Sequence, residues 1–186
     1  SPVGLLAEED DDMLEPIYVP SWDPLASDEI IDVRSPSEFA EDHVPGAVNL
    51  PVLSDAERAE VGTIYVQVSV LEARRTGAAL MARNIAAHLS DHFADKGKEY
   101  RPLLYCWRGG MRSRGMALIL CEVGWRTAVL QGGYKTYRRD VLRLVESIPG
   151  TFGLVVLMGR TGSGKTDMLK RLEARGSQIG RASCRE

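Results

Sequence analysis

Cysteine, histidine and aromatic residues are scarce in this sequence: three cysteines, three histidines and 6% aromatics in 186 residues. Cys106, Cys121 and Cys184 form no C-x-x-C pair, and a sparse, odd set supports neither a disulfide framework nor a zinc site. His43, His88 and His92 lack metal-ligand spacing, so no resident metal is expected. No apolar run approaches the ~18 residues of a membrane span, and the first fifteen residues lack the basic and apolar regions of a signal peptide. These absences predict a soluble, cytoplasmic protein in a reducing compartment, with no membrane partner. Ser1 stands where an initiator methionine would, so the native start is expected upstream.

Charge is plentiful and unevenly placed. The formal net charge is −3, yet residues 1–15 hold six acids (Glu8, Glu9, Asp10, Asp11, Asp12, Glu15) and no base. That lead reads as a disordered acidic tail, since like charges without apolar spacing cannot offset the entropy of ordering. Between Cys106 and Arg143 eight bases face two acids. A positive segment of this kind suits an anionic partner.

Short β-branched runs alternate with helical patterns along residues 16–148. "EIIDV" (29–33), Ala47 to Leu50, "PLLYC" (102–106) and "TAVLQ" (127–131) read as strands. Ser35 with Pro36 opens a short helix. Leu71, Ala78, Met81, Ile85 and Leu89 fall on one face of a long helix, 69–89. Gly110 to Val123 and Gly132 to Ile148 complete the helices, the last basic and amphipathic. This order predicts an α/β domain, a parallel sheet covered by helices on both faces, with ligands at the carboxyl ends of the strands.

"YCWRGGMRS" places Cys106 where a strand gives way to a helix. Backbone N–H groups converge there, Gly109 and Gly110 let the chain curl into an anion-binding nest, and Arg108 and Arg112 add positive charge. Trp107, Arg108, Gly109, Gly110, Met111, Arg112 and Ser113 are the candidate anion-binding loop, arranged to favour a thiolate at Cys106. Cys121, inside the apolar stretch "ALILCEVGW", reads as a core residue. The spacing of Cys106, Arg112 and Ser113 is the C-x5-R-S pattern of cysteine phosphatases, with Arg112 as phosphate clamp, although Tyr105 stands where such enzymes have histidine. The same loop topology serves sulfurtransferases that carry a persulfide. Spacing alone leaves both open.

"DVRSPSEFAEDHVPGAVNLP" (32–51) resembles the N-terminal signature of rhodanese domains, and "LQGGYKTY" (130–137) resembles their final strand and turn. The cysteine loop is one residue longer than that of typical sulfur-transferring rhodaneses, which leaves room for a larger group. The order of rhodanese signature, "YCWRGGMRS", "GGYKTYRR" and a Walker-type loop resembles the tRNA 2-selenouridine synthases. That resemblance implies replacement of sulfur by selenium in wobble 2-thiouridine of tRNA, with selenophosphate and geranyl diphosphate as co-substrates and a geranylated thiouridine as intermediate. It implies Cys106 as perselenide carrier and selenophosphate synthase as a selenium-supplying partner; Asp32 and Arg34 read as loop support, pairing near the loop to hold its geometry. For tRNA, Lys135, Arg138 and Arg139 are candidate phosphate contacts, and Tyr134 or Tyr137 candidate stacking partners for a base. A non-catalytic tRNA-binding module is the remaining reading.

After "SIPGTFG", the expected domain boundary, "GLVVLM" (153–158) reads as a strand leading into "GRTGSGKT". This fits G-x-x-x-x-G-K-[ST] in the context that the motif needs. Gly159, Gly162, Ser163, Gly164, Lys165 and Thr166 would hold the phosphates of a nucleotide or prenyl diphosphate, Thr166 serving Mg2+. Residues 149–178 thus read as the first strand, P-loop and helix of a truncated P-loop domain. The closing "IGRASCRE" (179–186) is what ATC GGA AGA GCG TCG TGT AGG GAA encodes, a string resembling a sequencing adapter. We read it as foreign to the native chain and leave Cys184 aside.

Overall fold

A computed structural model describes residues 14–22, 27–147, 155–160, 162–177 and 179–180. The chain divides into two compact units, Ser1–Val145 and Glu146–Glu186. In the first, strands β1 (Ile17–Val19), β2 (Glu29–Asp32), β3 (Val48–Asn49), β4 (Pro102–Tyr105) and β5 (Ala128–Leu130) form one sheet in the order β1-β5-β4-β2-β3. Every pairing is parallel, with Ile31 opposite Leu104 and Leu104 opposite Val129. Helices α1 (Pro36–Glu41), α2 (Asp55–Gln67), α3 (Val70–Ser90) and α4 (Met111–Glu122) belong to the same run of chain, and α5 (Tyr134–Ser147) ends at the boundary.

Both faces of the sheet are buried, as the uninterrupted apolar character of "PLLY" requires. Alternate residues go to opposite sides. Ile31, Leu104, Cys106 and Val129 share a core with Ile85 of α3 and Met116 and Leu120 of α4. Ile30, Leu103, Tyr105 and Leu130 share the other with Val44 and with Tyr134 and Tyr137 of α5. Cys106 therefore leaves the end of the central strand on the α4 side of the sheet. Among the described residues no helix is long and apolar enough to cross a membrane.

One helix was not expected, and two expectations need correcting. The segment after β3 forms α2, a helix that the apolar pattern did not predict because it buries no residue of its own. Its start is fixed by a reciprocal cap: Ser54 Oγ accepts from Glu57 N–H at 3.3 Å, and the Glu57 carboxylate accepts from Ser54 N–H at 2.7 Å. Second, the inner face of α3 is Ala73, Gly77 and Ile85, with Met81 and Leu89 partly buried against the core as expected, while Leu71 is 77% exposed and Ala78 is also outside. α2 is the reason, because Val61 sits where a Cβ on Gly77 would touch it at 3.4 Å. Small residues win that face since they let two helices approach.

Third, the strand expected over 153–158 is not formed by its described part. Residues 155–158 carry no ladder, and Val155 is 92% exposed. A strand exists only with a neighbour to pair with, and the described part of the second unit offers none. Helix α6 (Lys165–Glu173) does follow the glycine-rich loop. Residues 1–13 of the acidic tail, and 178 and 181–186 at the end, lie outside the described residues.

Candidate active site

Cys106 is 3% exposed, and its sulfur is held from two sides. Gly110 N–H donates to Sγ at 3.2 Å and the buried Ser113 hydroxyl does so at the same distance. The nest predicted from the glycines thus supplies one amide directly, and α4, starting at Met111, aims its N-terminus at the loop. Trp107, Arg108, Gly110 and Met111 form the exposed rim.

The loop is locked to the turn after β5 backbone against backbone. Tyr134 N–H donates to the Cys106 carbonyl at 2.8 Å and Lys135 N–H to that of Trp107 at 3.3 Å. Gly109 (φ +66°) and Gly133 (φ +58°) face each other in this contact. A Cβ on Gly109 would stand 2.8 Å from the Leu130 carbonyl oxygen, and one on Gly133 would overlap the Cys106 carbonyl and reach Gly109 N at 2.6 Å. "CWRGG" and "QGG" are one interlocked unit, a pairing that their separate motifs do not reveal.

Asp32 and Arg34 meet as expected, both essentially without exposure. Arg34 Nη2 reaches Asp32 Oδ2 at 2.7 Å, its backbone N–H reaches Oδ1 at 2.9 Å, and Nη2 also donates to the Asp42 carbonyl at 2.6 Å. The guanidinium lies 4.2 Å from the Tyr134 ring centroid. Burial alone would lower the Arg34 pKa, but hydrogen bonding to Asp32 and its charge prevail and raise it. The Asp32 carboxylate and the Arg34 Nε and Nη2 groups are occupied internally, which makes the pair a brace between β2 and the turn after α1, with Tyr134 of α5 beside the guanidinium.

Arg112 is placed differently from a phosphate clamp. Its Nη1 donates to Glu38 Oε2 at 2.7 Å, and Glu38 also accepts from Ser35 N–H and pairs with Arg58 at 3.2 Å. Burial pushes the Glu38 pKa up, yet Arg112, Ser35 and Arg58 together hold it below its ordinary value. Arg112 ties α4 to α1. In contrast, the Arg108 and Arg114 guanidinium groups are exposed and without a hydrogen bond or ion pair among the described residues.

The candidate stacking tyrosines are core residues. Tyr134 and Tyr137 are 8% and 7% exposed. Tyr134 donates its hydroxyl to Asp42 Oδ2 at 2.6 Å, and burial followed by Asp42 pushes its pKa up to about 12. Tyr137 packs edge-on against Trp22 at 5.2 Å. An amphipathic helix on a sheet buries its aromatic side, so neither ring is open to a base. Lys135, Arg138 and Arg139 are exposed on the opposite side, Arg138 lying 3.7 Å from Asp42. The histidines serve the fold, for example His88 beside the Pro51 carbonyl at 3.0 Å.

In the second unit, Gly162, Ser163, Gly164, Lys165 and Thr166 line an open cavity. Lys165 Nζ donates to the Gly159 and Arg160 carbonyls at 2.5 and 2.6 Å and to Ser163 Oγ at 3.3 Å. The ammonium is turned onto the loop's own carbonyls and the Ser163 hydroxyl. Among the described residues no His, Cys, Asp and Glu cluster is placed to hold a metal ion.

A parallel sheet, a cysteine at the end of its central strand and an amide-lined loop opening a helix define a rhodanese-type domain. The Rhodanese-like domain family model matches residues 21–140, and the chain belongs to that family. Among curated relatives it is similar to the tRNA 2-selenouridine synthase of Shewanella denitrificans, 39% identical over 76% of this chain and 39% of that one. It is likewise similar to the tRNA 2-selenouridine synthase of Sulfurovum sp., 40% identical over 77% of this chain and 40% of the relative. The chain spans about two fifths of the length of these relatives. Among solved structures, the N-terminal domain of a Clostridium difficile 630 protein designated ATP/GTP binding matches with TM-score 0.57 and 33% identity, covering 69% of this chain and 99% of that domain.

Proposed function

We propose that the chain is the rhodanese part, with the beginning of the P-loop part, of a tRNA 2-selenouridine synthase, a cytoplasmic transferase acting on wobble 2-thiouridine. The observation that carries this reading is Cys106 itself: a sulfur with two donors aimed at it, in a domain similar along three quarters of the chain to enzymes of that name. The reaction exchanges selenium for sulfur at C2 of the uridine. Geranyl diphosphate first alkylates the thiouridine sulfur, diphosphate leaving, so that the sulfur becomes a leaving group. Selenophosphate, supplied by selenophosphate synthase, yields phosphate and selenide on hydrolysis.

Selenide lacks the two oxidising equivalents of a perselenide, so we place Cys106 in a mixed disulfide with a small thiol. Selenide attacks Sγ, the S–Se bond forms, the S–S bond breaks and the small thiolate leaves. The perselenide adds to C2, and geranylthiolate departs. The small thiolate then attacks Sγ, breaking S–Se, releasing 2-selenouridine and restoring the mixed disulfide. Gly110 N–H and Ser113 Oγ–H hold Sγ in place for each attack and stabilise its thiolate before the mixed disulfide forms. The loop from Gly159 to Thr166 holds the diphosphate of the prenyl donor or a nucleotide with Mg2+.

A phosphatase reading is disfavoured because Arg112 is engaged by Glu38. The test is mass spectrometry of the chain after selenophosphate and a small disulfide, with selenium measured in a 2-thiouridine RNA and phosphate release from an aryl phosphate followed in parallel. We expect a selenium adduct on the Cys106 peptide, absent in Cys106→Ser. Cys106-dependent phosphate release without any selenium adduct would overturn the proposal.

A further inference from the structure

The rim around Cys106 combines features that a small inorganic anion does not need. Trp107 is 37% and Met111 59% exposed, both inside the cysteine loop, although exposing large apolar groups on a short loop has no folding benefit. The indole is held in place: it stacks on Tyr134 with centroids 5.3 Å apart and planes 22° from parallel. Tyr134 is in turn fixed by Asp42 and by the Arg34 guanidinium. The Trp107 carbonyl is bound by Lys135 N–H, so main chain and side chain are both restrained. An exposed but rigid aromatic surface is a preorganised platform.

Around it lie Arg108 and Arg114, cations without partners among the described residues, and the exposed Lys135. Arg112, which would otherwise draw an oxyanion to the sulfur, is neutralised by Glu38. Aromatic surface, polarizable thioether and separate exposed cations fit an unstacked nucleobase whose flanking phosphates are held a few ångströms away. We infer that Trp107 is the specificity-determining platform of the site, stacking on the pyrimidine that receives the group carried by Cys106, with Met111 flanking it and Arg108, Arg114 and Lys135 on the adjoining phosphates. The substrate class is single-stranded RNA with the base turned out, and the buried tyrosines act only through the indole. This rests on the tRNA reading above.

The experiment is titration of the full chain with a short single-stranded RNA carrying one 2-thiouridine, at several salt concentrations, for wild type, Trp107→Ala and Trp107→Phe, with circular dichroism confirming the fold of each. Trp107→Ala is expected to bind about 5- to 150-fold more weakly, the range expected for removal of one base–aromatic stack. The slope of affinity against salt should stay at the wild-type value, because every cation that meets a phosphate is still present. Trp107→Phe should recover most of the affinity. Equal binding by wild type and Trp107→Ala overturns the platform and leaves the tRNA reading standing, as does a weakening accompanied by a shallower salt slope or unrescued by phenylalanine. Wild type binding no RNA at any salt overturns both the platform and the tRNA reading.

Discussion

Gly133→Ala tests the interlock that shapes the cysteine loop. Two costs add. An L-residue held at φ +58° loses about 1–2 kcal/mol relative to glycine. The new Cβ would also overlap the Cys106 carbonyl oxygen and stand 2.6 Å from Gly109 N, atoms that cannot swing aside as a side-chain tip can. Overpacking of this kind adds about 1–3 kcal/mol. The sum, about 2–5 kcal/mol, is a large part of the roughly 5–15 kcal/mol that holds a typical domain together. At a urea slope of about 2 kcal/mol/M it lowers the unfolding midpoint by about 1–2.5 M. Gly46→Ala is the matched control, since Gly46 has φ +80° with no atom within 4 Å of a Cβ. It carries only the conformational cost, about 0.5–1 M at the same slope. Urea titration followed by circular dichroism gives the two midpoints, and peptide mapping after brief iodoacetamide treatment reports whether Cys106 becomes more reactive in Gly133→Ala alone. If the two variants unfold at the same midpoint and Cys106 reacts equally in both, the backbone contact is not what holds the loop.

Three further outcomes follow from the same structure. Arg34→Met should lower stability by about 3–5 kcal/mol because the buried Asp32 loses its counter-charge, and Asp32→Asn in the same chain should recover most of it, both read from thermal midpoints. Glu29 is raised by burial but lowered more strongly by Tyr100, His92 and Lys96, so its pKa lies below the ordinary 4.5. Its contribution is therefore complete above that value and lost as pH falls through the folded pKa. Glu29→Gln should flatten the decline of urea midpoint with pH in this acidic window, and an unchanged decline would remove Glu29 as its source. Replacing Lys135 and Arg139 with alanine should weaken binding to the thiouridine RNA and reduce its salt slope by about 0.7 for each phosphate no longer neutralised. A constant slope would take the phosphates away from α5.

Four of the five strands and most helices were legible because both faces of a buried parallel sheet leave continuous apolar runs such as "PLLY", and because Cys106 announces the strand end; β1, a three-residue edge strand with Ile17 and Tyr18 exposed, left no such run. α2 escaped since its stability comes from the Ser54–Glu57 cap and from packing on one side of α3, not from an apolar stripe; "SDAE" was the signal for it. The position of Arg112 was unreadable for another reason: Glu38 lies far away in sequence, and spacing within the loop says nothing about a distant carboxylate. The same limit applies to Tyr134 and Tyr137, where the basic pattern of α5 was visible but the side taken by the aromatics depended on Trp22, Asp42 and Arg34. A strand over 155–158 was suggested by composition alone, and composition supplies no pairing partner.

β1 pairs with β5, so Ile17 meets Ala128 and Val19 meets Leu130, and Gln131 N–H reaches back to the Val19 carbonyl. During synthesis β1 is made before β5 yet has no place to dock until most of the domain has followed it. The loop to be closed is long, which makes docking of β1 a late event in folding. Until then β5 is the open margin of the sheet, available to a strand from another chain. Nascent chains paused before residue 128 therefore contain the complete cysteine loop but neither β1 nor β5 in place, and the amides that fasten that loop at Cys106 and Trp107 arrive only with the residues that follow β5.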